Sequence, residues 1–181
     1  MTEPSQSAQT SESAQTSESA QTSESAQTSG IAGLPVELAG ADPNQLAGMV
    51  GQLSDAELRE VLSDGALRGQ VLDEIFQRMG HHFRADKAKG QTVAVHFVIT
   101  GGPDGTKNTY QASIKDGVCT TSKELTEHPR ATITADGVPF LRLVTGGAGG
   151  VELFLKGKLK VGGDMMFAAS VAGWFAIPGG K

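Results

Sequence analysis

Four histidines and a single cysteine are the side chains of this 181-residue chain with the most obvious reactive chemistry. His81 and His82 are adjacent, so on a helix they face different directions. His96 stands in a strand-like run and His128 precedes Pro129. None of the four belongs to an HExxH pattern or to the Cys/His spacing of a zinc site, so they read as surface or structural histidines. Cys119 lies in a strand-like stretch with no basic helix terminus close in sequence, which suits an inert thiol better than a nucleophile. Two glycine clusters invite a phosphate-loop reading. Gly146-Gly147-Ala148-Gly149-Gly150 lacks the Lys-Ser/Thr ending, and Gly157-Lys158 runs into Leu159. Neither fits GxxxxGK[ST] or GxGxxG. These residue types predict a protein without catalytic chemistry, metal or cofactor.

Charge and composition narrow the partners. The net charge is -5, and the first 29 residues carry most of it through Glu3, Glu12, Glu18 and Glu24. From Gly30 onward the chain holds all 15 basic residues and 16 of the 20 acidic ones, so no basic footprint for nucleic acid exists. Aromatic residues make up 5% of the chain, too few for base-stacking platforms. One cysteine permits no internal disulfide, and the polar, acidic N-terminus is unlike a signal peptide, which together suggest a cytoplasmic protein. The longest apolar run, Met165 to Ile177, falls short of the ~18 residues a membrane span needs.

Three divisions emerge along the chain. Residues 1–29 are a low-complexity tail: SAQTSE repeats three times over 7–24 and SAQTS follows, with no Ile, Leu, Val, Phe, Trp or Tyr to repay the entropy of ordering, so a disordered tail is expected. Residues 30–64 form a helical extension. Asp42-Pro43 is a helix start, and Ser54-Asp55-Ala56-Glu57 is a capping box. Residues 65–181 are an α+β domain. A helix from about Ala66 to Gly80 presents Leu67, Val71, Leu72, Ile75, Phe76 and Met79 as one stripe. Thr92 to Thr100 alternates as a strand, Thr109 to Lys115 and Val118 to Ser122 flank the hairpin signal Asp116-Gly117, and Ala131 to Ala135 alternates again. Short helices follow at Phe140 to Val144 and Val151 to Leu155. Lys156 to Val161 reads as a strand with Lys156, Lys158 and Lys160 on one face, charges that blunt an edge. Asp164 caps a final helix, Met165 to Phe175, with no charged residue after its cap. A helix apolar nearly all round needs cover nearly all round, and a lipid, a partner chain or the helical extension is needed to supply it.

The chain from about Ala66 to Pro178 resembles the sterol carrier protein type 2 (SCP2) sterol-binding domain. The residues that carry the resemblance are VAVHFVITGG at 93–102, YQASIKDG at 110–117, PRATITAD at 129–136 and, most specifically, FLKGKLKVGGDMMFA at 154–168. The resemblance implies a five-stranded, mostly antiparallel sheet covered on one face by helices, with an apolar tunnel between them for sterols, fatty acids or other acyl lipids. The chain ends Gly-Gly-Lys rather than in a peroxisomal Ser-Lys-Leu.

The residues expected to line that tunnel are Phe76 and Met79 from the long helix, Phe140, Leu143 and Val144 from the middle helix, and Phe154 from the following turn. Met165, Met166, Phe167, Val171, Trp174 and Phe175 are expected from the final helix. Gly162-Gly163 is placed to act as a hinge or turn before it. The alternative is a scaffold or accessory module, whose final helix pairs with a second copy or docks on a lipid- or quinone-modifying enzyme.

Overall fold

Asp42 opens the first helix of the structure, a computed structural model that describes residues 42–176. The repeat tail lies outside the described residues. The Asp42 carboxylate accepts from the backbone of Asn44 and Gln45, and the Gln45 side chain returns to the Asp42 N–H, closing a capping box at the head of α1 (Pro43–Gln52). Ser54 and Glu57 make the reciprocal pair that starts α2 (Asp55–Val61). Asp64 caps α3 (Gly65–Met79), followed by a 3-10 turn (Gly80–His82) and the short α4 (Ala85–Ala88).

Among the described residues, five strands form one sheet in the order β3-β2-β1-β4-β5. Three run as a meander: β1 (Val93–Thr100), β2 (Asn108–Lys115) and β3 (Val118–Ser122). Asp116 and Gly117, both at positive φ, make the tight β2–β3 turn whose twist matches the strands. The chain then crosses the sheet and β4 (Ala131–Asp136) pairs with the other side of β1 in parallel, Phe97 opposite Ile133. β5 (Leu159–Gly163) closes antiparallel on β4 as the edge strand. Between them lie α5 (Gly137–Val144) and α6 (Gly150–Leu155). Helix α7 (Met165–Val171) and a 3-10 turn (Ala172–Trp174) end the described chain.

Alternation in the strands divides the sheet into two faces. Val95, Phe97, Ile99, Tyr110, Ala112, Ile114, Ile133 and Leu159 are buried toward the helices. On the opposite face, the β3–β4 crossover is held by Gln111, whose amide donates to Thr126 and accepts from the Glu127 N–H, while His96 contacts the same Gln111 at 3.2 Å. The helix-side core centres on Phe76, which stacks on Tyr110 (3.9 Å between centroids) and on Phe140 (5.4 Å). The Tyr110 hydroxyl donates to Asp73 at 2.7 Å, and burial together with that carboxylate pushes its pKa well above the ordinary tyrosine value.

Two charged side chains join layers. Arg68 is fully buried and donates to the carbonyls of Ile99 and Thr100 and to Asn108 Oδ1, tying α3 to the end of β1. Arg142 on α5 donates to the carbonyls of Val50 and Leu53, each at 2.6 Å, and to Asp55, so it caps the free end of α1 and fixes the α1–α2 pair. At the other end of the molecule, Phe175 bridges to Phe83, with Arg84 N donating to the Trp174 carbonyl and Ala176 N to that of His82.

Two expectations are corrected. The strand expected over Lys156–Val161 begins only at Leu159: Lys156 ends α6, Gly157 takes the left-handed conformation (φ 66°) common after a helix, and Lys158 N bonds back to the Leu153 carbonyl. The final helix does not run to Phe175 but tightens at Ala172, and it is not enclosed on every side. Phe167, Ala168, Val171 and Trp174 are buried, whereas Met165 and Met166 are 53% and 81% exposed.

Candidate functional site

An apolar cavity of about 450 Å³ lies between the helix-side face of the sheet and the helices, within the usual size range of small-molecule pockets. Its floor is the sheet: Phe97 from β1, Ile133 from β4, Leu159 and Val161 from β5. One wall is α3, through Ile75 and Met79. Phe140, Leu143 and Val144 from α5 and Val151 and Phe154 from α6 make another, and Leu46 of α1 reaches the same space. Helix α7 and the segment after it close the cavity with Ala168, Val171 and Phe175, while Met165, Met166 and Ala169 stand at the exposed rim.

Small residues on the inner face of β4 flank Ile133, so the floor near β4 and β5 lacks the aromatic stack that fills the space above β2. The segment from Met165 onward is anchored from outside. Asp164 accepts from Phe167 N at 2.9 Å and from Arg130 Nε and Nη2 at 3.1 and 3.0 Å. The Phe167 N–H and then the Arg130 guanidinium hold the Asp164 carboxyl below the usual carboxylate range. Gly162 and Gly163, read from the sequence as a hinge or turn, are paired with Thr132 and Ala131 in the ladder. A side chain at Gly163 (φ 81°) would meet the Arg130 carbonyl at 2.5 Å, so this bend requires glycine.

Of the twelve residues proposed from sequence, the structure brings nine to the cavity: Met79, Phe140, Leu143, Val144, Phe154, Met165, Met166, Val171 and Phe175. Three stand elsewhere. Phe76 is held between Tyr110 and Phe140 and has no free face. Phe167 turns toward the sheet edge, packed edge-on to Trp174 at 5.4 Å and beneath the Arg130 guanidinium at 4.5 Å, and Trp174 is buried against it. Leu46, Ile75, Phe97, Ile133, Leu159 and Val161 line the wall without having been proposed. All six lay on apolar faces readable from their spacing, and only the packing of helices and strands shows which part of each face meets empty space.

Among the described residues, the only polar side chains on the wall are Glu74 and Arg78, four apart on α3, and His82 in the 3-10 turn that follows. Arg78 Nε and Glu74 Oε1 form an ion pair at 2.6 Å. Among the described residues, no three His, Cys, Asp or Glu side chains converge on a metal-sized site. Cys119 is buried away from the cavity, and burial pushes its thiol up to about 11. No described helix is long and apolar enough to cross a membrane.

A mixed five-stranded sheet with helices on one face and an apolar chamber between the layers defines an α+β protein of the sterol-carrier type. The model of the SCP-2 sterol transfer family matches residues 73–176, and the chain belongs to that family. Solved structures of similar fold include the sec-alkylsulfatase Pisa1 from Pseudomonas sp. (14% identity, 82% of this chain and 28% of that one, TM-score 0.50). A double mutant of the sulfatase PisA1 matches at 17% identity over 57% of this chain and 16% of that one, TM-score 0.50. Sterol Carrier Protein 2 from Yarrowia lipolytica matches at 23% identity over 62% of this chain and 92% of that one, TM-score 0.48. This chain therefore spans well under a third of the sulfatases' length. No curated protein matches the sequence.

Proposed function

We propose that the chain binds one apolar molecule, a sterol or a fatty acyl lipid, in the cavity and carries it without chemical change. The observation that carries this reading is an apolar chamber whose few polar groups are gathered on one ridge of its wall. Each methylene transferred from water into it is worth ~0.8 kcal/mol, so an acyl chain needs few directional contacts to bind. Among the described residues the wall is almost wholly apolar, which supports a carrier. The lone buried thiol is compatible with an intracellular setting.

Mass spectrometry of lipid extracted from the purified full chain tests the reading, paired with the Ala169→Trp variant. Ala169 is exposed yet borders the cavity, so tryptophan there fills the mouth at little cost to folding. Wild type retaining stoichiometric lipid, and the variant retaining none at unchanged melting temperature, is the expected result. Lipid-free wild type that also fails to take up a fluorescent fatty acid would overturn it.

One observation favours a second reading, a docking role. Leu155 is 78% exposed and does not border the cavity, so a cavity ligand leaves its exposure unexplained. A dimer or complex lost on Leu155→Ser would favour that role.

A further inference from the structure

Among the described residues, five of the seven exposed large hydrophobic side chains gather on α6 and α7: Val151, Phe154 and Leu155 on the one, Met165 and Met166 on the other. Val151 and Leu155 stand four apart, on one side of α6. Val151, Phe154, Met165 and Met166 also border the cavity, so α6 and α7 together frame its mouth. A guest inside the chamber leaves the outer side of this rim in water. The chain carries an apolar segment of its own just ahead of α1. Residues 31–38 read IAGLPVEL and lie outside the described residues. Leu34, Val36 and Leu38 alternate, and Pro35 biases Leu34 toward extended backbone, so the three share one side of an extended run.

The point where this segment joins the fold sets its reach. Asp42 caps α1, and Leu46, about one turn further on, lines the same cavity as Val151 and Phe154. The run from Leu38 to Asp42 spans up to about 14 Å, and the run from Ile31 to Leu38 adds about 25 Å. Glu37 is the only charged residue from Gly30 to Ala41. Lys158, just beyond α6, is exposed and has no ion pair among the described residues, so the charges are complementary. We infer that residues 31–38 of this chain lie across the α6–α7 rim, with Leu34, Val36 and Leu38 packed on Val151, Leu155 and Met166. The docking reading thereby gains an occupant from within the chain, and the inference stands apart from the carrier reading. A short tether holds the segment beside its own rim at an effective concentration on the order of mM, far above that of a second copy in dilute solution. The mouth is then covered in the resting protein, and any guest displaces the segment to pass.

The test uses the full-length, delipidated chain with bimane attached at Met166→Cys. The native thiol, Cys119, is buried, so the new cysteine takes the label. Bimane emission should lie to the blue of that from the same chain carrying Leu34→Ser and Val36→Ser, at every protein concentration and with unchanged circular dichroism. Val36→Trp, which keeps the segment apolar, should quench the bimane by contact with the new indole. Equal emission with and without the serine pair would overturn the inference, and so would absence of quenching by Val36→Trp. A blue shift that grows with protein concentration would overturn it in favour of a second copy and leave the docking reading standing. Emission typical of bimane in water in every chain would overturn both.

Discussion

Arg130 and Asp164 are joined through both Nε and Nη2 of the guanidinium, at 3.1 and 3.0 Å, and the same carboxylate caps the helix that covers the cavity. Arg130 precedes β4 and Asp164 follows β5, so the pair binds the cover helix to the sheet where the two strands end together. The guanidinium also lies over the Phe167 ring, adding a cation–π contact to the salt bridge.

Acid should weaken this anchor. The Asp164 carboxyl is depressed by the Phe167 N–H and by Arg130, so its stabilising contribution is present above the ordinary aspartate value and is lost as pH falls through the folded-state value. Thermal melts of wild type and Asp164→Ala should differ most at neutral pH and converge as pH drops through and below about 3.9. A constant difference down to pH 2 would contradict this account.

Phe76 and the cavity-lining residues should separate in a mutational survey. Phe76→Ala removes the middle ring of a three-ring stack and should cost roughly 3–5 kcal/mol in chemical denaturation. Val161→Ala, which only enlarges an existing void, should cost about 1 kcal/mol and change ligand preference instead.

Arg68 is expected to tolerate no neutral replacement. Arg68→Met leaves the carbonyls of Ile99 and Thr100 and the Asn108 side chain without their donor inside the protein, a loss of roughly 2–4 kcal/mol measurable by urea unfolding.

Arg142→Ala should free the α1–α2 pair from α5, because it removes the donors to Val50 and Leu53 and the contact with Asp55. Limited proteolysis should then cut between residues 42 and 64. Ligand affinity should fall with it, since Leu46 leaves the wall.

Cys119 should be silent toward a thiol reagent at pH 8 until the protein is denatured, because it is buried and its thiol is pushed up to about 11.

Local chemistry made much of the fold readable in the sequence. The caps at Asp42 and Ser54 and the turn at Asp116-Gly117 need only neighbouring residues, and alternation from Val93 to Ile99 assigns each side chain to a face. Cavity membership is a different kind of fact. Phe97 and Ile133 oppose each other across β1 and β4, yet that parallel pairing depends on a crossover no local pattern records. Phe76 carries the same apolar signal as Met79, and which of the two faces a void depends on Tyr110 and Phe140 arriving from elsewhere. Residue types near Lys156 favoured a strand, but Gly157 at positive φ resets the chain first.

The bridge between Phe83 and Phe175 sets an order of events for synthesis. A chain leaving the ribosome N-terminus first can form the β1–β2–β3 meander early, from neighbours in sequence. Residues 172–176 must emerge before Arg84 and His82 find their partners, so the chamber stays unsealed until nearly all of the described chain has been made. The wall at Phe175 is thus contributed by the last part of the described chain to be synthesised.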